Sequence, residues 1–245
     1  MEARPQTLPE KLVRGQLRPP AVFQNNATCL MDPIIQLKDR KPLTHGRSRL
    51  VFEHPDDPDL LIKVIRPEVV EDRFGSNTKW YKKRRRFGKF ISYIREIQEF
   101  LAVSESRADS APFLQRIVGF TRTDIGLGLV LEAIRWTDGS LAPNLAQLIR
   151  NDHFDARAQQ ALTTFIDEIL NSAVIISDLN LGNIVYTYCE KRGYYFVMID
   201  GIGNNSILPL KSFSRRINRR SKLGRFKYLY DRIERCKSKN QARKT

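Results

Sequence analysis

Cysteine, histidine and long apolar runs are all scarce in this chain, and each scarcity removes a class of protein. Three cysteines, Cys29, Cys189 and Cys236, occur in 245 residues, far apart and odd in number. They offer neither a disulfide framework nor a metal-ligand spacing. His45, His54 and His153 are equally scattered, which argues against a zinc site. No apolar run approaches the roughly 18 residues of a membrane helix. The first thirty residues carry Pro, Arg and Gln where a signal peptide would have its apolar core. No transmembrane segment and a cytoplasmic location are therefore expected.

Acidic residues are also in short supply, 27 against 42 Lys and Arg, for a net charge of +15. The excess is local. Residues 211–245 hold 14 Lys/Arg and 2 Asp/Glu, a charge of +12, which leaves +3 for the other 210 residues. A second block, "KWYKKRRRFGK" at 79–89, has seven basic side chains and no acid. Such blocks attract phosphate-rich partners, so a polyanion contact through residues 211–245 is one expectation. A solvated basic face is the other.

What is present is a globular composition, 41% hydrophobic, long enough for one domain or one domain of two lobes. Residues 1–35 are weakly periodic and proline-dotted, and read as an extension expected to be poorly ordered; Met31 stands as an alternative start. "RLVFE" (49–53) and "LLIKVIR" (60–66) flank a turn dense in Pro and Asp and predict a hairpin. A helix is expected over 90–106, with Phe90, Ile94, Ile97 and Leu101 on one face. Residues 114–123 and 126–136 read as a second hairpin. Helices follow at 142–150 and 155–174, the longer one striped by Ala158, Leu162, Phe165, Ile169 and Ala173. Strands at 184–188 and 194–200 close the pattern, and the last 35 residues read as basic helical or irregular structure. The fold class is α+β.

Five polar residues stand out by their surroundings. Lys63 lies inside an apolar strand, Glu96 on the next helix, Asp178 and Asn183 at either side of a loop, and Asp200 at the end of an apolar strand before Gly201. Asn183 and Asp200 are hard oxygen donors of the kind Mg²⁺ takes alongside phosphate and water. Asp178 is then free to orient or deprotonate a hydroxyl. Lys63 would neutralise phosphate charge, with Glu96 holding it. Helix geometry favours Glu96 over Glu99: Glu96 borders the arc widened by Tyr93 and Phe100, and Glu99 lies almost opposite the stripe. The plain alternatives are an edge-strand charge for Lys63, a surface helix residue for Glu96, and turn formers for Asp178, Asn183 and Asp200-Gly201.

"IKV" with Lys63, "YIREIQEF" with Glu96, "SDLNLGN" and "MIDGIG" stand in the order of the protein-kinase-like fold, and the kinase loop spacing of Asp, four residues, Asn is met by Asp178 and Asn183. The chain resembles more closely the YrbL family, the PhoP regulatory network proteins of bacteria. "HPDDPDLLIKV", "GLGLVLEAIRWTDGSLAPNL", "SDLNLGNIVY" and "IDGIGNNSILPLKSFSRRINRR" carry that resemblance over residues 54–220. It implies a two-lobed domain over 36–225, with a β-rich part at about 36–132, a reduced helical part at about 133–225, and a basic tail at 226–245. It further implies ATP and Mg²⁺ as ligands, a phosphate-covering loop around Gly46, and an adenine contact through the backbone at Glu132. Transfer of the γ-phosphoryl group to a hydroxyl is the expected reaction. Departures are plain. Ile176 replaces the His before the loop Asp, Asn180 replaces the loop Lys, one glycine stands where three are usual, and no Phe follows Asp200-Gly201. "SDLNLGN" is nearer to small-molecule kinases of the aminoglycoside phosphotransferase kind. A regulatory nucleotide-binding module without turnover stays open beside the enzyme.

Overall fold

Apolar strands separated by polar turns build the first half of the chain into an antiparallel sheet. The structure is a computed structural model and describes residues 33–75, 87–106, 111–204 and 210–242. Strands β1 (Thr44–His45), β2 (Arg49–Glu53), β3 (Leu60–Ile65), β4 (Ile117–Thr123) and β5 (Gly126–Glu132) lie in the order β1-β2-β3-β5-β4. The central strand β3 is buried along nearly its whole length, which is why it reads as a continuous apolar run instead of an alternation. Its one polar residue, Lys63, pairs across with Val51 and Leu129, so it is not an edge-strand charge.

Helix α1 (Pro67–Phe74) follows β3 and was not anticipated; Pro67 at its first turn is the available signal, since proline has no N–H to lose there. Helix α2 (Ile91–Ser106) packs on the sheet. Of the expected Phe90/Ile94/Ile97/Leu101 stripe, Phe90 and Ile97 pack against the cluster of Ile65, Tyr93, Leu129 and Leu131, but the fully buried line is a different one. Tyr93, Glu96, Glu99 and Val103 are buried, whereas Leu101 is 59% exposed. Two carboxylates face inward because each finds partners there. Tyr93 fixes the helix to the sheet. Its hydroxyl accepts from the Ile65 N–H at 3.1 Å and lies 2.8 Å from the Lys63 carbonyl and 3.1 Å from that of Leu127. Tyr93→Phe strands that buried N–H, and is expected to cost about 1–3 kcal/mol in a urea denaturation.

The second half is helical with one hairpin. Helix α3 (Leu145–Arg150) opens on a capping box between Asn144 and Gln147. Helix α4 (Ala156–Asn171) is capped by Asp155. It buries Ala158, Leu162, Phe165 and Ile169 as expected, with Ala161 and Ile166 added; Ala173 lies beyond its end. Strands β6 (Ile184–Cys189) and β7 (Gly193–Met198) pair as a hairpin. Backbone bonds from Gln115 to Met198 and from Met198 to Phe113 tie β7 to the segment leading into β4.

The C-terminal region corrects the expected boundary at 225/226. After α5 (Leu210–Phe213), one helix, α6, runs from Arg215 to Gln241. Its inward residues Asn218, Lys222, Phe226, Leu229 and Ile233 recur every three or four positions, and the last three join the main core with Phe165, Ile169 and Phe196. The basic tail is thus half of a docked helix. At the other end, residues 1–32 of the expected extension lie outside the described residues. From Ile35 the chain is tied down: its N–H reaches the Arg122 carbonyl at 2.9 Å, and Leu37 is fully buried. No helix among the described residues is long and apolar enough to cross a membrane. Residues 79–86 of the other basic block lie outside the described residues.

Candidate functional site

Three structural pieces meet at one cleft of about 520 Å³: the turn between β1 and β2, the first turns of α2, and the two loops at 176–183 and 199–203. The loops are joined by backbone bonds. Ser177 and Asp178 both donate N–H groups to the Gly201 carbonyl, at 2.8 and 2.9 Å, and the Ser177 hydroxyl adds a third bond at 2.9 Å. Gly201 has φ +83°, and a Cβ there would fall 1.9 Å from the Asp178 carbonyl oxygen, so no other residue fits.

The loop that opens on Asp178 is held from within. The Asn180 amide donates to Asp178 Oδ2 at 3.0 Å, and its Oδ1 accepts the Gly182 N–H at 2.9 Å. The Asn183 amide donates to the Asp178 carbonyl at 3.2 Å, and the Asn183 carbonyl accepts from Ile199 at 2.9 Å, next to Asp200. Asp178, Asn183 and Asp200 are thereby brought to one wall.

A chain of charges runs from behind the cleft to the same wall, ending on Asp200. Lys63, 4% exposed, donates to Glu96 Oε2 at 3.4 Å and to the Ile199 carbonyl at 3.1 Å. Glu96, 5% exposed, accepts from Arg49 through its other oxygen. Arg49 reaches on to Asp200 Oδ1 at 2.5 Å, and the Gly201 N–H donates to the same oxygen at 2.7 Å. Burial pushes the Asp200 carboxyl up, but Lys63 and Arg49 outweigh it and hold the group below the usual carboxylate range. Arg49 is held firmly protonated: burial opposes its charge, and Glu96 and Asp200 together overcome that.

Gly46, Glu96, Asp178, Asn183 and Asp200 all line the cleft, and Lys63 lies directly behind Glu96. Glu132 is not among the lining residues. Its N–H donates to the Arg116 carbonyl at 3.0 Å, its carbonyl accepts from Gln115 at 2.8 Å, and the Ala133 N–H is taken by Asp59 at 2.7 Å. Arg49 is the site residue that sequence reasoning missed. Its signal was slight, an arginine opening a strand just after the Gly46 turn. Glu99, set aside in favour of Glu96, is buried one turn further along the same inward face of α2 and accepts the Ile175 N–H at 2.7 Å.

Residues 35–234 match the family described as PhoP regulatory network protein YrbL. The chain belongs to that family. It is 22% identical over 186 residues to the proteins named Uncharacterized protein YrbL of Escherichia coli (strain K12) and Shigella flexneri, over 74% of this chain and 80% of each relative. The matched span holds every residue of the cleft, and it ends beyond Ile233 on α6. That end agrees with the docking of α6 into the core.

Proposed function

We propose that this protein has a protein-kinase-like fold in two lobes, binds ATP with Mg²⁺ in the cleft, and transfers the γ-phosphoryl group to a hydroxyl acceptor. The observation that carries the reading is the buried Lys63–Glu96 pair, set behind the same cleft that Asp178, Asn183 and Asp200 line. A buried ion pair of this kind seldom repays its desolvation in stability, so a task for it is the better account. Lys63 would neutralise phosphate charge, Glu96 would hold Lys63 in place, and the Gly46 turn would cover the phosphates. Asp178 would orient the acceptor hydroxyl and take its proton.

The donor set fits the metal. No group of three His, Cys, Asp or Glu converges among the described residues, which is the arrangement an all-protein metal site would use. Mg²⁺ needs one or two protein oxygens beside substrate phosphates. Asp200 and the Asn183 Oδ1 supply that set, and the ion would supply charge neutralisation on the phosphates. One contact favours a second reading, a regulatory module that binds nucleotide without turnover. Arg49 is bonded to Asp200, so an ion must compete with a guanidinium for that carboxylate. A third reading, polyanion binding, draws support from exposed arginines of α6 such as Arg216 and Arg220, and steep salt dependence would identify it.

Titration of ATP with and without Mg²⁺, followed by transfer of labelled phosphate to a panel of hydroxyl compounds, separates these readings. Lys63→Met is expected to weaken ATP binding by at least about tenfold, roughly 1.4 kcal/mol, and Asp200→Ala to remove its Mg²⁺ dependence. Asp178→Asn should bind as before and transfer nothing. Unchanged ATP affinity in Lys63→Met, with a native circular dichroism spectrum, would sink the assignment. Binding without transfer in the unaltered protein would favour the regulatory module.

A further inference from the structure

A second and larger cavity, about 1180 Å³, adjoins α2 further along, between that helix, the end of α4 and the start of α6. That volume holds a ligand of ordinary metabolite size. Its lining is unusual in charge. Five cations, Arg95, Lys211, Arg215, Arg219 and Lys222, face one acid, Glu99. Glu99 is already engaged by the Ile175 N–H. Lys222 is spent on the protein as well, donating to the carbonyls of Ile169 at 2.6 Å and Ser172 at 2.8 Å. Lys211, Arg215 and Arg219 form no ion pair among the described residues.

Two buried polar atoms nearby lack partners. Asn218 lines the cavity and is 5% exposed; its amide nitrogen donates to the Ala173 and Val174 carbonyls, both at 3.0 Å, which leaves Oδ1 as a buried acceptor without a donor. Seven residues on, along the same face of α6, Arg225 Nε is a buried donor without an acceptor. Burial and the charge of Arg225 together hold the Lys211 ammonium below its usual value, which is what two neighbouring cations without a counter-anion produce. A native fold leaves few such atoms unsatisfied, and Asn218, on the lining of a cationic cavity, carries one of them, which points to a ligand.

We infer that this cavity binds a small phosphorylated polyol. Its phosphates would be taken by Lys211, Arg215 and Arg219, and one of its hydroxyls would donate to Asn218 Oδ1. The site is separate from the nucleotide cleft and does not depend on the reading given to it. It nevertheless shares a helix with it: Arg95 lines both cavities, and Glu96, its neighbour in sequence, faces the cleft.

Calorimetric titration of the full chain at fixed ionic strength provides the test, with fructose 1,6-bisphosphate as the polyol probe and inorganic pyrophosphate as the anion without hydroxyls. One saturable site is expected, with the sugar bisphosphate bound more tightly than pyrophosphate. Arg215→Ala/Arg219→Ala alters two exposed positions on α6, keeps good helix formers there, and should weaken binding of both probes at least about tenfold. Lys63→Met should leave both unchanged. Binding that persists in the double variant, or that disappears in Lys63→Met, would overturn the proposal, as would weak non-saturable uptake that vanishes with salt. Equal affinity for the two probes would remove the polyol assignment. Loss of ATP binding in Lys63→Met has no bearing on this result, so the two sites stand or fall separately.

Discussion

A chain ending at Arg225 is expected to yield no folded protein. Such a truncation removes Phe226, Leu229 and Ile233, which are 3%, 0% and 1% exposed and pack into the cluster formed by α3, α4 and β7. Burying each side chain of this size contributes about 1.5–3 kcal/mol, so their joint loss amounts to roughly 5–9 kcal/mol against a total stability of about 5–15. Asn240 goes too, and with it bonds to the Ile149 carbonyl at 3.2 Å and to Asp152 at 2.8 Å. The reading of residues 226–245 as a separable tail implied the opposite, a shortened protein with ATP binding nearly intact. Thermal denaturation followed by circular dichroism decides between them. A cooperative transition in the shortened chain near that of the full one would show that α6 contributes little beyond its first turns.

The second large effect is on pH. Burial pushes the Glu99 carboxyl up to about 7, against a bond from Ile175 and the charge of Lys222 that both pull it down. The unfolded chain releases this proton near 4.5. Between those values the folded protein holds more proton than the unfolded chain, so stability falls as pH rises through the window. Lys222, pushed down to about 8 by burial with Glu99 opposing, acts above pH 8, where the unfolded chain holds the extra proton and stability recovers towards 10.5. Glu99→Gln keeps an acceptor for Ile175 and removes the charge. At pH 8 it is expected to stabilise the protein by up to about 3 kcal/mol, less whatever Lys222 loses with its partner. At pH 4 it should be close to neutral. Urea midpoints for the two proteins at both pH values provide the measurement; a gain of the same size at pH 4 would show that Glu99 is not the titrating group.

Much of this arrangement was legible because the strands declare themselves. "RLVFE" and "LLIKVIR" around a Pro- and Asp-rich turn could hardly be anything but a hairpin, and Lys63 stood out because nothing else in its strand is polar. Asp178, Asn183 and Asp200 were legible for a similar reason, as polar residues at the ends of apolar segments. Arg49 was not, because an arginine beside a polar turn looks the same whether it meets water or two carboxylates. The inward face of α2 was placed only in part, through Phe90 and Ile97, because hydrophobic periodicity assumes that charged residues face out, and here two glutamates face in. Helix α6 hid for a related reason. Two of its five inward residues are Asn218 and Lys222, and arginines on every other side mask the spacing of Phe226, Leu229 and Ile233.

The placement of α6 has a consequence for how the protein is made. Ribosomes release α3, α4 and the β6–β7 hairpin before the residues that cover them, so Phe165, Ile169 and Phe196 wait on a helix that emerges after them. Until then the nascent chain carries an open apolar surface of the kind that chaperones bind and that drives aggregation. Premature termination before Phe226 leaves that surface open for good, and the fragment becomes a substrate for proteases instead of a smaller working protein.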